Sequence, residues 1–413
     1  MLLLFLASSC GKDGADERSR QLEQRLDQLR SVPYTSLSWE KASAETAGVM
    51  VHDAARAWPG YNLYCLRFST DVVLLDMAGE VVHRWQYDRE PMKMRNHAIM
   101  LENGDLILLN KYSSIVRLDW DSNVKWQHER PVHHDVAVAE DGSIYVIQSR
   151  NTRYRKMAVR FDEIAHLSSE GAEIDLWSSR ENLEHLKETL DQGPFLDNVV
   201  DSLIAGKVAL DTLHSVPGRL GMERLGRGVV VYDYFHMNTI TILPDTPLGR
   251  RDPRFAAGNL LTCLRNVDQI AILDRASKQV VWSWGEGVLE WPHHPTMLDN
   301  GNVLVFDNGA VRRYSKVIEL DPVTGNVAWE YVAEPPGAFF TPQKGSAQRL
   351  PDGNTLICEG DRGRVFEVTM EGEIVWEWYN PEIKDDRRVV LYRMTRYPPE
   401  MVEPLLGRED GQQ

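Results

Sequence analysis

The chain has 413 residues, with 46 Lys and Arg against 61 Asp and Glu, for a formal net charge of −15. That balance excludes a general binder of nucleic acid or other polyanions, which needs clustered positive charge. Hydrophobic residues make up 43% and charged residues 26%, the composition of a folded globular body.

The first ten residues, MLLLFLASSC, join an apolar run to small residues and a cysteine, the pattern of a bacterial lipoprotein signal. The run is too short to span a bilayer. This reading predicts removal of residues 1–9, a lipid on Cys10, and a membrane-anchored protein facing the periplasm. The alternative is a short frayed apolar terminus. Residues 11–50 read as a polar spacer, helical over Asp16 to Arg30, where Leu22, Leu26 and Leu29 recur at helical spacing.

Six segments of the body, residues 51–400, repeat one design: an alternating apolar strand, a turn, and a second strand ending in a large aromatic. They are VVLLDMAGEVVHRW (72–85), IVRLDWDSNVKW (115–126), IAHLSSEGAEIDLW (164–177), IAILDRASKQVVWSW (270–284), VIELDPVTGNVAWEY (317–331) and VFEVTMEGEIVWEW (365–378). Each predicts a β-hairpin. Between them lie Asn-Gly or Asp-Gly turns followed by apolar strands, in LENGDLILL, AEDGSIYVI, LDNGNVLVF and LPDGNTLIC. Together the two motifs supply about four strands per repeat, which predicts an all-β fold, a six-bladed β-propeller. One long interval carries helical spacing over 180–213, read as two inserted helices. A Pro-, Gly- and Arg-rich loop, 244–259, is a second insertion. Both are expected to form a lid over the mouth of the channel. Residues 401–413 read as a C-terminal tail.

Histidines recur at one position of the repeat. His134 precedes Gly142 by eight residues and His293 precedes Gly301 by eight, while His97, His133 and His294 lie one residue off that register. His236 and Asn238 follow the apolar strand GVVVYDYF, and Arg265 leads into the next hairpin. Imidazole near neutrality can be a nucleophile or proton carrier, and arginine offers a permanent charged fork to an oxyanion. Such a set around one channel suits sulfuryl or phosphoryl transfer. Metal ligation by His97, His134, His236 and His293 is the competing chemistry, although no CxxC or HExxH motif occurs. Tyr232, Tyr234, Phe235, Phe339 and Phe340 are candidates for contact with an aryl ring, or for core packing. Cys65, Cys263 and Cys358 permit one disulfide at most.

Taken together, HHD, FHMN, the LRN arginine and HHPTMLDNGNVLVFDNG resemble the bacterial arylsulfate sulfotransferase family over roughly Trp58 to Tyr397. The resemblance implies a six-bladed propeller that moves a sulfuryl group from an aryl sulfate to a phenol by a ping-pong cycle, without a nucleotide donor or other cofactor. It places the transiently sulfated histidine at His293, with His294 as fallback. His134 and Arg265 would bind sulfate oxygens and His236 would steady the sulfuryl group or relay a proton. Asn238, His294, His133 and His97 would line the substrate, which is a small molecule. Pro292 stands where members of the family carry a polar residue, and no separate N-terminal β domain precedes the body, so dimerisation is not implied. Two other functions compete: a non-catalytic binding propeller, and a metal-dependent hydrolase.

Overall fold

The computed structural model describes residues 36–43, 45–89, 95–190, 201, 222–225 and 229–410. Six sheets follow one another along these residues, antiparallel except in the third, where Met157–Leu167 also pairs in parallel with Val229–Asp233, which in turn pairs with Met222–Leu225. The first pairs Met394–Tyr397, Tyr61–Cys65, Asp71–Leu75 and Val81–Gln86 in that order, so a C-terminal strand completes the N-terminal sheet. The second runs Arg95–Met100, Leu106–Asn110, Ser114–Leu118, Val124–Glu129, and the third Val132–Val138, Ile144–Tyr154, Met157–Leu167, Glu173–Ser178. The fourth is Met237–Ile242, Leu260–Leu264, Gln269–Leu273, Val280–Trp284. The fifth is His293–Met297, Val303–Asp307, Lys316–Leu320, Val327–Tyr331, and the sixth Ser346–Arg349, Thr355–Glu359, Arg364–Val368, Ile374–Tyr379. Neighbouring sheets touch in order, and Ser346–Arg349 meets Met394–Tyr397, closing the ring of a β-propeller. A cavity of about 360 Å³ on the axis is lined by residues from the first strand of every sheet.

The middle strands are buried on both faces, which is why they read as near-continuous apolar runs. Leu106 and Leu108 pack against Leu63 and Leu74 of the first sheet, while the alternate residues Ile107 and Leu109 pack against Val136 and Val146 of the third. All six predicted hairpins form, each as the third and fourth strands of a sheet. The glycines of the Asn-Gly and Asp-Gly turns, Gly104, Gly142, Gly301 and Gly353, all have φ near +90°, between 78° and 96°, a conformation in which a side chain is strained.

A ring on the last strand of each hairpin, at its end or two residues before it, fastens one sheet to the next. The indole N–H groups of Trp126, Trp177, Trp282, Trp329 and Trp376 donate to the turn carbonyls of Ser169, Lys278, Pro322, Met370 and Met77, at 2.8 to 3.1 Å. The first sheet has His83 instead, whose Nε2 lies 3.0 Å from the Trp120 carbonyl while its ring stacks on that indole at 3.6 Å. A bond of this kind therefore crosses each of the six interfaces.

Several expectations need correction. Leu37–Lys41 and Gly48–His52, read as spacer, are strands: the first pairs with Arg387–Val389 and the second adds a fifth strand to the sixth sheet. The signal, the spacer helix and the second inserted helix lie outside the described residues. The first inserted helix, Leu183–Thr189, packs Leu183 and Leu186 into the core beside Trp177 and Val280. The 244–259 loop is no lid over His236. It joins Ile242 to Leu260, which pair at the end of the fourth sheet opposite the Met237 and Leu264 pair, and its Phe255 is buried against Trp282. Residues 401–410 belong to a helix, Pro399–Asp410, that buries Val402 and Leu405 against the first two sheets. Cys65, Cys263 and Cys358 are buried free thiols, so no disulfide forms among them.

Trp376 is fully buried and its bond closes the sixth sheet onto the first. Trp376→Phe, which strands the Met77 carbonyl, is expected to lower stability by about 1–2 kcal/mol in urea unfolding. Trp329→Phe removes an exposed bond of the same kind and is expected to cost less.

Candidate active site

The first strands of four sheets do not start cleanly. Their pairing with the second strand shifts between Arg95 and His97, Val132 and Val136, Met237 and Thr239, and His293 and Thr296. His134, His236 and His294 sit at or beside these irregularities with φ of 58°, 51° and 48°, left-handed values that are rare for non-glycine residues. A bulge breaks the in-out alternation of a strand and re-aims a side chain. Here it lets consecutive histidines of the HHD and HHP motifs point in different directions.

Two groups of side chains result. The first contains His134, His236, Arg265 and His293. The rings of His134 and His236 stand 4.7 Å apart, and Lys111 Nζ lies 3.5 Å from His134 Nε2. His236 Nδ1 is 2.6 Å from Asp233 Oδ2, an i, i+3 pair set by the turn that follows Val229–Asp233. The Arg265 guanidinium lies 4.6 Å over the Trp291 ring and donates to Asn266 Oδ1 at 3.0 and 3.1 Å, which fixes its direction. Its charge reaches both His134 and His293, so it stands between them electrostatically. His293 is buried, and its Nδ1 lies 3.0 Å from the Trp291 carbonyl and 2.7 Å from Asn308 Oδ1. Both partners are acceptors, so Nδ1 carries the proton and Nε2 the lone pair. Burial, and then Arg265, pull the His293 pKa down to about 3. Burial and then Lys111 hold His134 well below 6.5.

The second group lies on the axial cavity. Arg393 binds Asp135 through two bonds of 3.0 and 3.1 Å and reaches His97 Nε2 at 3.3 Å. His294 Nδ1 donates to the Ala347 carbonyl at 2.9 Å, and burial and then Arg393 hold its pKa well below 6.5. His97 and His294 thus share surroundings distinct from those of His293. His133 packs behind His134, with its Nδ1 2.7 Å from His134 Nδ1 and its Nε2 3.4 Å from Asp162. Asn238, expected at the substrate, is fully buried and holds the loop before His293: its Nδ2 donates to the Pro292 carbonyl at 3.0 Å. The Cys263 thiol donates to the same carbonyl at 2.9 Å.

The aryl-contact candidates are core residues. Tyr234 and Phe235 pack in one apolar cluster and Phe339 in another, against Phe306, Tyr331 and Phe366. Phe340 is buried, with Arg313 5.1 Å over its ring. Tyr232 is buried in the first of those clusters, and burial raises its phenol pKa. Sequence reasoning passed over Lys111, Asp233, Trp291, Asn308 and Tyr392. Asp233 and Asn308 stand inside motifs already singled out, YDYFHMN and FDNG, and a polar residue at fixed spacing from a histidine was the available signal. Lys111 and Tyr392, whose ring lies 6.1 Å from that of His134, arrive from other sheets and carry no local signal. Among the described residues no three His, Cys, Asp or Glu side chains converge as a metal-ligand set.

A neutral imidazole at His293, a fixed guanidinium at Arg265 and an Asp-supported second imidazole at His236 make up the first group. The sequence model of the arylsulfotransferase (ASST) family matches residues 97–381, more than half of the chain and spanning both groups except Tyr392 and Arg393. The chain belongs to that family. No curated protein sequence matches significantly. A solved protein of unknown function from Bacteroides caccae is similar in fold, with a TM-score of 0.51 at 12% identity, covering 82% of this chain and 98% of its own. An inactive virginiamycin B lyase from Staphylococcus aureus has a TM-score of 0.45 at 10% identity over 84% of this chain and 88% of its own. The Dos1 propeller has a TM-score of 0.40 at 10% identity over 84% and 77%. Membership in the arylsulfotransferase family makes the protein a sulfotransferase in the general sense and implies small aryl substrates.

The buried histidines of this arylsulfotransferase family member predict acid lability. His97, His134, His293 and His294 stay neutral in the fold far below 6.5, whereas the unfolded chain protonates them near that value. The unfolded state then binds more protons, so stability falls as pH drops below 6.5. Each histidine contributes a loss of about 1.4 kcal/mol per pH unit until its folded pKa is reached. Urea midpoints at pH 7.5, 6 and 5 should decline in step.

Proposed function

We propose that the protein transfers a sulfuryl group from an aryl sulfate to a phenolic acceptor through an N-sulfated His293, in a ping-pong cycle that needs no nucleotide donor. The observation that carries this reading is the state of His293: proton on Nδ1, lone pair on Nε2, pKa near 3, and Arg265 alongside. A histidine so disposed is a nucleophile throughout the neutral range, and Arg265 compensates the negative charge of the donor.

In the first half-reaction the Nε2 lone pair bonds to sulfur as the bond from sulfur to the aryl oxygen breaks. The departing phenolate takes a proton from the imidazolium form of His236, whose positive charge Asp233 balances at Nδ1. Arg265 and His134 face the sulfuryl oxygens, where hydrogen-bond donors stabilise the transition state. The products are a neutral phenol, neutral His236 and a zwitterionic N-sulfoimidazolium. In the second half the acceptor phenol gives its proton to His236 as its oxygen displaces Nε2, restoring the starting enzyme. We further infer that the signal at residues 1–10 places the mature chain outside the cytoplasm, held to a membrane by lipid on Cys10.

Intact-mass spectrometry after brief incubation with 4-nitrophenyl sulfate and no acceptor should show a gain of one sulfuryl group, reversed by added phenol. His293→Ala should show none. Arg265→Ala is expected to lower kcat by about 100- to 1000-fold. Nitrophenol release by wild type without any adduct would sink the covalent route. Loss of activity from protonation of His293 should set in only as pH falls through about 3, so a limb nearer neutrality belongs to the proton donor.

A further inference from the structure

The FDNG segment, Phe306–Gly309, carries no reacting atom in the cycle above, yet it closes around His293. We propose that Asn308 is a positioning residue that locks the His293 proton on Nδ1 and thereby directs the sulfuryl group to Nε2; this rests on the sulfuryl-transfer reading.

The orientation of the Asn308 amide is decided by its other end. Asn308 is fully buried, and its Nδ2 faces two backbone carbonyls, those of Thr341 and of Lys344, the latter at 2.7 Å. Carbonyl oxygens can only accept, so the NH₂ group must point at them and Oδ1 must point at His293. Rotating the amide by half a turn would set an oxygen against two oxygens in a buried site. Oδ1 at 2.7 Å is then a fixed acceptor, and Nδ1 must be the donor. The Trp291 carbonyl supports the same tautomer from farther away, at 3.0 Å.

The rest of the motif holds that amide still. Asp307 Oδ1 accepts from the Glu290 backbone N–H at 2.8 Å, tying the segment to the strand entry that bears His293. Glu290 answers with its own carboxylate, which accepts from the N–H groups of Val311 and Arg312 at 2.7 and 2.9 Å. Ser315 Oγ donates to the Asn308 carbonyl at 2.8 Å. Gly309 has φ of 64°, and a Cβ there would collide with the Tyr314 carbonyl oxygen, so the reversal that brings 315 back to 308 needs glycine. Phe306 is fully buried against Phe339 and seats the motif in the core. Each of the four residues therefore bears on where one proton sits.

The test uses the whole protein. Imidazole ¹⁵N shifts of histidine-labelled wild type should show His293 as the Nδ1–H tautomer, and the adduct formed with 4-nitrophenyl sulfate should be the Nε2 isomer alone. In Asn308→Ala, with folding checked by thermal unfolding, both tautomers and both adduct isomers are expected. The variant should lose about tenfold or more in kcat while the donor KM stays within about twofold. A wild-type Nε2–H tautomer, or a folded Asn308→Ala with unchanged tautomer and adduct position, overturns the proposal. If wild type forms no adduct, the transfer reading fails, and the tautomer spectra of the two proteins still decide the role of Asn308.

Discussion

The structure depends on a hydrogen bond repeated around the ring, in which an aromatic or imidazole nitrogen at the end of one hairpin reaches the turn carbonyl of the next. Stacked twisted sheets are held mainly by burial, which is strong but indifferent to small rotations of one sheet against another. A directional bond at the rim removes that freedom. It also explains the tryptophan carried by the last strand of five hairpins, whose N–H donates at the end of a large apolar body. His83 can replace it because an imidazole nitrogen also reaches the carbonyl, and its stacking on Trp120 supplies the apolar contact.

Ring closure brings the ends of the first strands to one axis, and the site uses the low dielectric found there. Removing histidines from water holds them neutral, whereas arginine keeps its charge under the same burial because its ordinary pKa is so much higher. The two residue types therefore separate into neutral imidazole and cation under the same burial. On the axis, Arg393 is held by Asp135 through two bonds, which suits a structural role. Arg265 leans on the face of Trp291 and donates twice to the Asn266 amide oxygen, contacts that hold its direction.

Much of this fold was legible because its repeats are short-range. Hairpin periodicity and turn glycines depend on a few neighbouring residues, and all six segments from 72–85 to 365–378 form as read. The Asn-Gly or Asp-Gly turn marks only four sheets, and each exception has a physical reason. In the fourth sheet the 244–259 loop replaces the turn, and in the first the two innermost strands come from opposite ends of the chain. The strands at Leu37–Lys41 and Gly48–His52 were hidden because their partners lie more than three hundred residues away, at Arg387–Val389 and Ile374–Tyr379. The aromatics near His236 were ambiguous for another reason: Tyr234 and Phe235 look alike in sequence whether they meet a ligand or, as here, the core.

The histidines divide along the same line. Their recurrence eight residues before a turn glycine was visible, but which of each doubled pair joins Arg265 depends on a bulge whose geometry is tertiary. His133 and His134 differ by one position and lie against different partners, Asp162 and His236, because His134 has φ of 58°. His293 and His294 diverge likewise, one toward Trp291 and Asn308 and the other toward Ala347. A regular strand would send alternate side chains to opposite faces at the same spacing in every sheet. Left-handed residues at the strand entries break that rule where side chains from separate sheets must meet, and the strain they carry is sustained by the closed ring beneath them.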